Sequence, residues 1–517
     1  MGENHCCSLQ SICGGCFFGG MSYEAQLAQK DKQIRNLINE AARDTFTYEG
    51  IIGSPRVFCY RNKMEYSFGD EQKNGPLTLG LHKKRSFYDV VNTDHCLLVH
   101  NDFNEIVRAT RTFFGDLGLT YKDKRTHLGF LRHLLIRRAV HTGELLIDLV
   151  TTSQPLIPVM AHSLINDVSL YASRKEEQSA QEVSAQIREK RNVLCADFSA
   201  TKAQITGNDG NETPEPRIES IAVEAARETS ASAACAGVIA PQKEKKKRGR
   251  RNSYPVPAPG SLHAADGVCT YPLEETLRDW RDCLLKLAAE GRIEGKLCGI
   301  LHTTNDSPSD AIKNEGTEVL YGQDSINEEL LGLQFKITPF SFFQTNSAGA
   351  EVLYTKARSY AADALHEGNT VYDLYSGTGT IAQILAPCVK RVIGVEIIPE
   401  AVQAARENAA RNGLTNCSFI AGDVLEVLDG ISEKPDVIIL DPPRDGVNPK
   451  ALAKIIGYGV ERIIYISCKC ESLCRDLIPL QKAGYRLEKA CAIDQFPWTQ
   501  NTETVALLSR QKPDEKM

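Results

Sequence analysis

Five short apolar runs near the end of the chain each lead into a helical pattern: VYDLYS from Val371, RVIGVEI from Arg391, CSFIAG from Cys417, DVIILD from Asp436 and RIIYIS from Arg462. Strands of this kind, four to seven residues long and separated by helices, bury both faces. They belong in a parallel, doubly wound sheet joined by right-handed crossovers. This alternation fixes the fold class of residues 339–517 as α/β and Rossmann-like. Ligands of such sheets bind at the carboxyl ends of the strands, so the residues just after each run are where chemistry is expected.

The first run ends in Asp373-Leu374-Tyr375-Ser376-Gly377-Thr378-Gly379-Thr380. Two glycines at a strand-to-helix turn let the backbone approach a ligand without a Cβ in the way. Glu396 closes the second run, where an acid can accept the hydroxyl hydrogen bonds of a ribose. The third leads to Gly422-Asp423, within reach of an adenine edge. The loop lacks the third glycine of a dinucleotide fingerprint, which favours S-adenosylmethionine over NAD. The alternative is a plain helix-initiating turn with a solvated Glu396. The fourth run ends in Asp441-Pro442-Pro443-Arg444, either a ligand-crevice loop or only a rigid turn. The fifth delivers Ser467-Cys468 to the same rim, followed by a helix over about 471–483. That helix dipole can favour a thiolate, although most free cysteines are small buried residues. Glu503 enters a last apolar strand, where an acid is costly unless it has a partner or a task.

Upstream the texture differs. Residues 23–40 and 101–118 read as helices. VFCYRNKMEYSF from Val57, LTLGLHKKR from Leu77 and ELLIDLVTT from Glu144 read as strands. These mark a β-rich α+β central domain over 31–338. A Ser-, Ala-, Glu- and Lys-rich insertion interrupts it at about 172–266, with too few large apolar residues to offset the ordering entropy. Strand-like text resumes at Lys296–Thr303. Within the insertion, the basic run Lys243–Arg251 is either an RNA-attracting segment or a soluble tail.

The chain has 17 cysteines among 517 residues. That is too sparse and irregular for a secreted disulfide scaffold and fits a reducing cytoplasm. No apolar run is long enough to span a membrane, no signal peptide is apparent, and Cys6 spoils a myristoylation signal. Cys7, Cys13 and Cys16 stand close together, with Gly14 and Gly15 between the last two. Three thiolates in one tight loop suit zinc or an iron–sulfur cluster, with a fourth ligand from elsewhere. The net charge of −6 does not announce a nucleic-acid binder. RNA contacts must therefore come from local sets: Tyr60 to Lys63, His82 to Arg85, and Arg132 and His133 with Arg137 and Arg138.

Gly379 with Glu396, Asp441-Pro442-Pro443-Arg444, Ser467-Cys468 and Glu503, preceded by Phe342-Phe343-Gln344-Thr345-Asn346, resemble the RNA uracil-5-methyltransferase family. The resemblance spans nearly the whole chain except the insertion. It implies that Cys468 adds to uracil C6 and that Glu503 removes the C5 proton. It also implies that Gln344, Tyr375, Gly379, Glu396, Asp423 and Asp441 bind S-adenosylmethionine. It makes Cys96 the distant fourth ligand that joins Cys7, Cys13 and Cys16 around a [4Fe-4S] cluster, so that residues 1–30 form an iron–sulfur segment completed by Cys96. Cys6 and Cys59 compete for that fourth place. The expected partner is RNA, 23S ribosomal RNA or its precursor particle first, since the tRNA-modifying branch generally lacks the cysteine motif; the protein is expected to be a monomer, with no membrane partner. The chain departs from the family at Lys469-Cys470, at Trp498 and at Asn501, the last two standing where the family carries histidines. Two other readings are a methyltransferase for cytosine C5 or an amino nitrogen, and a non-catalytic iron–sulfur RNA-binding protein. Cys468 and Arg444 argue against an amino-nitrogen target, the lack of a Pro-Cys after the fourth run against cytosine C5, and an intact cofactor loop against the second.

Overall fold

A computed structural model describes residues 7–153, 156–158, 270–362 and 365–510. The insertion at 172–266 and Cys6 lie outside the described residues. Two sheets carry the fold.

The larger sheet has eight strands. Its parallel centre is β13 (Thr370–Leu374), flanked on one side by β14 (Arg391–Glu396) and β15 (Cys417–Ala421), and on the other by β16 (Val437–Leu440) and β17 (Arg462–Ser467). Beyond β17 come β19 (Glu503–Arg510), β18 (Tyr485–Ile493) and β1 (Thr47–Ile52). The five runs read from the sequence are these parallel strands. Every residue of β13 and β16 is buried, as expected where helices cover both faces. The sheet is not wholly parallel: β19 is antiparallel to both of its neighbours. Order reverses between β14 and β16 around β13, which opens the crevice above β13.

Helices α1 (Tyr23–Ala41), α4 (Ser347–Ala361), α5 (Thr380–Leu385), α6 (Pro399–Arg411), α7 (Val424–Val427), α8 (Pro449–Tyr458) and α9 (Cys470–Lys482) pack on this sheet. The grouping of residues 31–52 with the central domain differs from what is observed. Strand β1 extends the large sheet in parallel register with β18, and α1 packs on α9. Ile34 and Ile38 of α1 enter the core formed by β13, β14, β16 and β17. Their apolar stripe needs a partner; β1 lies against α1 close in sequence, and the rest of the cover comes from strands and α9 that all lie beyond residue 369.

The second sheet runs β10 (Thr317–Gly322), β9 (Lys296–Thr304), β6 (Glu144–Thr151), β5 (Leu131–Arg138), β2 (Lys63–Asp70), β3 (Leu77–His82) and β4 (Val90–Asn92). Helices α2 (Asn101–Asp116) and α3 (Leu273–Ala289) cover it, with Phe103, Phe114 and Trp280 fully buried between. Trp280 Nε1 donates to Thr110 Oγ1 at 3.1 Å, so the indole enters the core without an orphaned donor. Two short pairs complete the elements, β7 (Leu156–Pro158) with β8 (Thr270–Pro272) and β11 (Ile326–Leu330) with β12 (Leu333–Ile337). Residues 57–62, read as strand, form an irregular segment before β2. There Cys59 takes a φ of +50°, which a strand does not accommodate.

Candidate active site

Strand pairing assembles the rim. In the antiparallel pair of β17 and β19, Ser467 faces Thr504. This places Cys468, just past the end of one strand, beside Glu503 at the start of the other. Asp441 leaves β16 next door, and Arg444 follows it in the same loop. The four groups act on one another. Burial raises the Cys468 thiol to about 11, with the Glu503 and Asp441 charges adding and the Arg444 guanidinium opposing. Glu503 is only 4% exposed. Burial raises its carboxyl to about 7, against Arg444. Asp441 rises to about 8 through burial and then through Glu503. Two carboxyls thus titrate near neutrality beside a protonated thiol and one cation, a pattern typical of reacting groups. Arg444 also donates to Asn501 Oδ1 at 3.2 Å, two residues before Glu503.

The glycine-bearing loop after β13 lies beside this cluster. Tyr375, Gly377 and Gly379 all have positive φ, of +67°, +53° and +72°. For Tyr375 this is a strained state of the kind concentrated at functional turns. Gly379 is fixed twice over, because a Cβ there would sit 2.5 Å from the Phe419 ring and 2.9 Å from Ala405 Cβ. Gly379→Ala is therefore expected to lower stability by about 1–3 kcal/mol; urea unfolding would read the effect. Glu396 accepts from the Gly377 amide and the Ile398 amide, both at 3.0 Å, so the acid already shapes the loop. Asp373 accepts from the Ala382 amide at 2.9 Å with one carboxyl oxygen. Its other oxygen and Ser376 Oγ are buried without partners. Such orphaned polar atoms in a glycine turn suit a polar ligand.

Two further expected residues have local duties. Asp423 is exposed and caps α7, accepting from the Leu425 amide at 2.7 Å. Gln344 sits in the segment before α4, where its carbonyl accepts from Asn62 Nδ2 at 3.0 Å. Tyr354, which drew no attention in the sequence, is held well above its usual range by burial, with Asp441 and Glu503 among the charges around it. Sequence spacing gave no sign of it, because it reaches the site from α4.

The loop between β18 and β19 is clasped by the opposite end of the chain. Lys30 Nζ meets Asp494 Oδ1 at 2.6 Å, with side-chain exposures of 2% and 0%, and also donates to the Phe496 carbonyl at 3.2 Å. Trp498 replaces the family's histidine. Its indole donates to the Val57 carbonyl at 2.7 Å and stacks on Phe58 at 5.3 Å. Its own carbonyl accepts from the Phe17 and Phe18 amides. Lys30→Met is expected to cost about 3–5 kcal/mol, because Asp494 is left buried and unpaired; equilibrium unfolding of the variant checks it.

Cys7, Cys13, Cys16 and Cys96 line one cavity of about 400 Å³, together with Arg61 and Lys63. Cys59 is not among its walls. Cys16, raised to about 12, is pushed up by burial and then by Cys96, Cys13 and Cys7. Among the described residues, no three His, Cys, Asp or Glu side chains are grouped to hold a single metal ion.

One expected set of RNA contacts is corrected. Arg132 is buried and donates to the carbonyls of Asn305, Ser307 and Ser309. Arg137 is buried too and donates to those of Pro339 and Ser341. Arg138 pairs with Asp102 at 3.1 Å. His133 falls to about 4, driven by burial and then by Arg132. These cations tie loops to the second sheet rather than facing phosphate.

Comparison with known proteins decides the family. A model of the tRNA (uracil-5-)-methyltransferase family matches residues 312–511. An RNA methyltransferase of Caldanaerobacter subterraneus, of uncharacterized activity, is 38% identical over 96% of this chain and 83% of its own length. The chain belongs to the RNA uracil-5-methyltransferase family. A similarly uncharacterized RNA methyltransferase of Clostridium tetani is 36% identical over 98% of this chain and 84% of its own. Among solved structures, the Pyrococcus abyssi tRNA (uracil-54, C5)-methyltransferase, in complex with S-adenosyl-L-homocysteine, shares the fold. Its TM-score is 0.57 at 20% identity, covering 96% of this chain and 86% of that one. The protein is thus an S-adenosylmethionine-dependent RNA uracil-5-methyltransferase. Among the described residues, no helix is long and apolar enough to cross a membrane.

Proposed function

We propose that this methyltransferase modifies C5 of a uridine in large-subunit ribosomal RNA through a covalent bond between Cys468 and C6. The observation that carries the reading is the meeting of Cys468, Glu503, Asp441 and Arg444 at the junction of β16, β17 and β19. Uracil C5 is a weak nucleophile. Addition of Cys468 Sγ to C6 turns C5 into an enolate carbon. S-Adenosylmethionine supplies a methyl group on a positively charged sulfur. Once C5 carries that methyl, Glu503 takes the C5 proton, the electron pair returns to the ring, and Sγ leaves C6. Burial keeps the proton on the Cys468 thiol at neutral pH, and Arg444 is the charge that favours its release. Gln344, Tyr375, Gly379, Glu396 and Asp441 are the proposed donor-binding residues. Asp423 is proposed for the adenine edge, in addition to its capping bond. The uridine must leave its stack to reach this rim.

The four thiols are proposed to hold a [4Fe-4S] cluster. They share a cavity far larger than one ion requires, and Lys84 is the cation that opposes the rise of the Cys13 and Cys16 thiols and would offset thiolate charge. Anaerobically purified protein is expected to contain about four irons per chain, and Cys96→Ser to lose them while still binding S-adenosylmethionine. A transfer RNA substrate is the second reading, favoured by the names of the matching family model and of the solved relative.

The deciding experiment uses ribosomal RNA fragments carrying 5-fluorouridine, with S-adenosylmethionine. Fluorine cannot leave as a proton, so the reaction should stall. The expected product is an adduct on Cys468 carrying one added methyl, located by peptide mass spectrometry. Turnover without an adduct, or a bond to Cys470 or Cys474, would overturn the mechanism. An adduct formed only with transfer RNA would move the substrate.

A further inference from the structure

We propose that two turns of the second sheet, residues 83–89 and 122–128, form a platform on which unpaired bases of the RNA substrate stack. The proposal rests on the RNA reading above and extends it to a surface away from the reacting groups.

Large aromatic side chains are normally covered. Phe87 is 63% exposed and Tyr88 48% exposed, side by side in the turn between β3 and β4. Their rings meet edge-on, 5.6 Å apart at 90°. Neither is a floppy tip. Ser86 Oγ accepts from both the Tyr88 and Asp89 amides, and the Lys83 amide donates to the Asp89 carbonyl. The second turn is equally fixed, with Asp123 Oδ1 accepting from the Arg125 and Thr126 amides at 2.8 Å. A rigid aromatic pair costs little entropy to use, which is the economy of a stacking surface.

Cations surround the rings. Lys124 Nζ lies 4.1 Å from the Phe87 centroid and donates to the Phe87 carbonyl at 2.9 Å. The Arg125 guanidinium lies 4.6 Å from the Tyr88 centroid. The two turns hold six Lys and Arg against two Asp, in a chain whose net charge is −6. Lys124 pairs with Asp310. Among the described residues, neither Arg85 nor Arg125 forms an ion pair, although Arg125 stands close enough to Asp123 in its own turn to lower that carboxyl. Arg85 also holds a φ of +62°, at the tip of its turn. Exposed rings among excess cations suit a single-stranded polyanion with flat bases, rather than an apolar protein face.

The platform is tied to the catalytic rim. The Gly14 amide donates to the His82 carbonyl and the Lys84 amide to the Ile12 carbonyl. The same segment then donates through Phe17 and Phe18 to the Trp498 carbonyl. An RNA strand held at Phe87 would thus rest on the structure that also braces the loop leading to Glu503.

The test uses the full chain and a fluorescein-labelled twelve-nucleotide oligouridylate, followed by anisotropy across a salt series. Phe87→Ala with Tyr88→Ala is expected to weaken binding by about tenfold or more without changing the salt slope, and Phe87→Trp to bind as wild type does. Arg125→Ala and Arg85→Ala should each reduce the salt slope by about one. Unchanged S-adenosylmethionine affinity in every variant would show that they fold. Equal oligouridylate affinity in wild type and the double alanine variant would overturn the platform. Methyl transfer to RNA by the wild type is scored separately: its absence would overturn the parent reading, while the affinity ratio still decides the platform.

Discussion

Cys468→Ala is expected to abolish methyl transfer to RNA, by at least about 10⁴-fold, the scale on which removal of a covalent nucleophile acts. The same protein should keep its fold and its affinity for S-adenosylmethionine. Cys468 is only half-buried at the end of β17, and its removal opens little core. A tritium-release assay on C5 and a 5-fluorouridine trap should both fall to background. Cys470 and Cys474 provide the control. Their sulfurs lie 3.9 Å apart on α9, and Cys470 is buried. Neither should rescue the variant, and Cys474→Ser should leave the rate within a few-fold of wild type. Substantial turnover by Cys468→Ala would mean that the nucleophile is another group or that none is used.

Glu503→Gln is expected to stop the reaction later. Addition and methylation do not need the C5 proton to leave, so a methylated Cys468 adduct should accumulate on ordinary, unfluorinated RNA. Release of product should slow by about 10²–10⁴-fold. Gel-shift under denaturing conditions would show the trapped complex. The substitution should also change stability in a pH-dependent way. Glu503 titrates near 7 when folded, against an ordinary value of 4.5, so the folded state favours the protonated form. That contribution is complete below about pH 4.5 and is lost as pH rises through 7. The glutamine stays neutral throughout. The variant should therefore match wild type in acid and exceed it above neutrality, by about 3 kcal/mol at most. Part of the gain has a second source, because Asp441 loses the neighbouring charge that pushes it up. Thermal melts of both proteins at pH 5 and pH 8.5 separate the cases.

The large sheet was legible because its strands are apolar on both faces and end in residues with chemical character. Cys468 and Asp441 are legible as neighbours at one rim, since each follows such a run; Glu503 begins its strand and joins them only because β19 runs antiparallel, which its sequence does not mark. Less was legible where a residue's partner lies far away in sequence. Arg132 and Arg137 look like phosphate ligands beside other basic residues, yet buried carbonyl groups satisfy them. No pattern in residues 131–138 distinguishes the two cases. Strand β1 was assigned to the wrong region because a single edge strand carries no mark of the sheet it joins. Tyr354 reaches the site from a helix face, where its spacing reads as ordinary core. Cys96 was reached by resemblance alone, and its place beside Cys7, Cys13 and Cys16 depends on the loop before α2.

The clasp between Lys30 and Asp494 also sets a timetable for synthesis. The two residues are 464 positions apart, and ribosomes add roughly 5–20 residues per second. Lys30 therefore emerges about half a minute to a minute and a half before Asp494 exists. Through most of that interval Ile34 and Ile38 lack the strands that cover them and β1 lacks its neighbour β18, and to its end the Phe17–Phe18 segment lacks the Trp498 carbonyl. The apolar stripe of α1 must wait for strands that follow residue 369 before it is fully covered. Completion of the reactive rim and burial of the amino-terminal helix then become a single event at the close of translation.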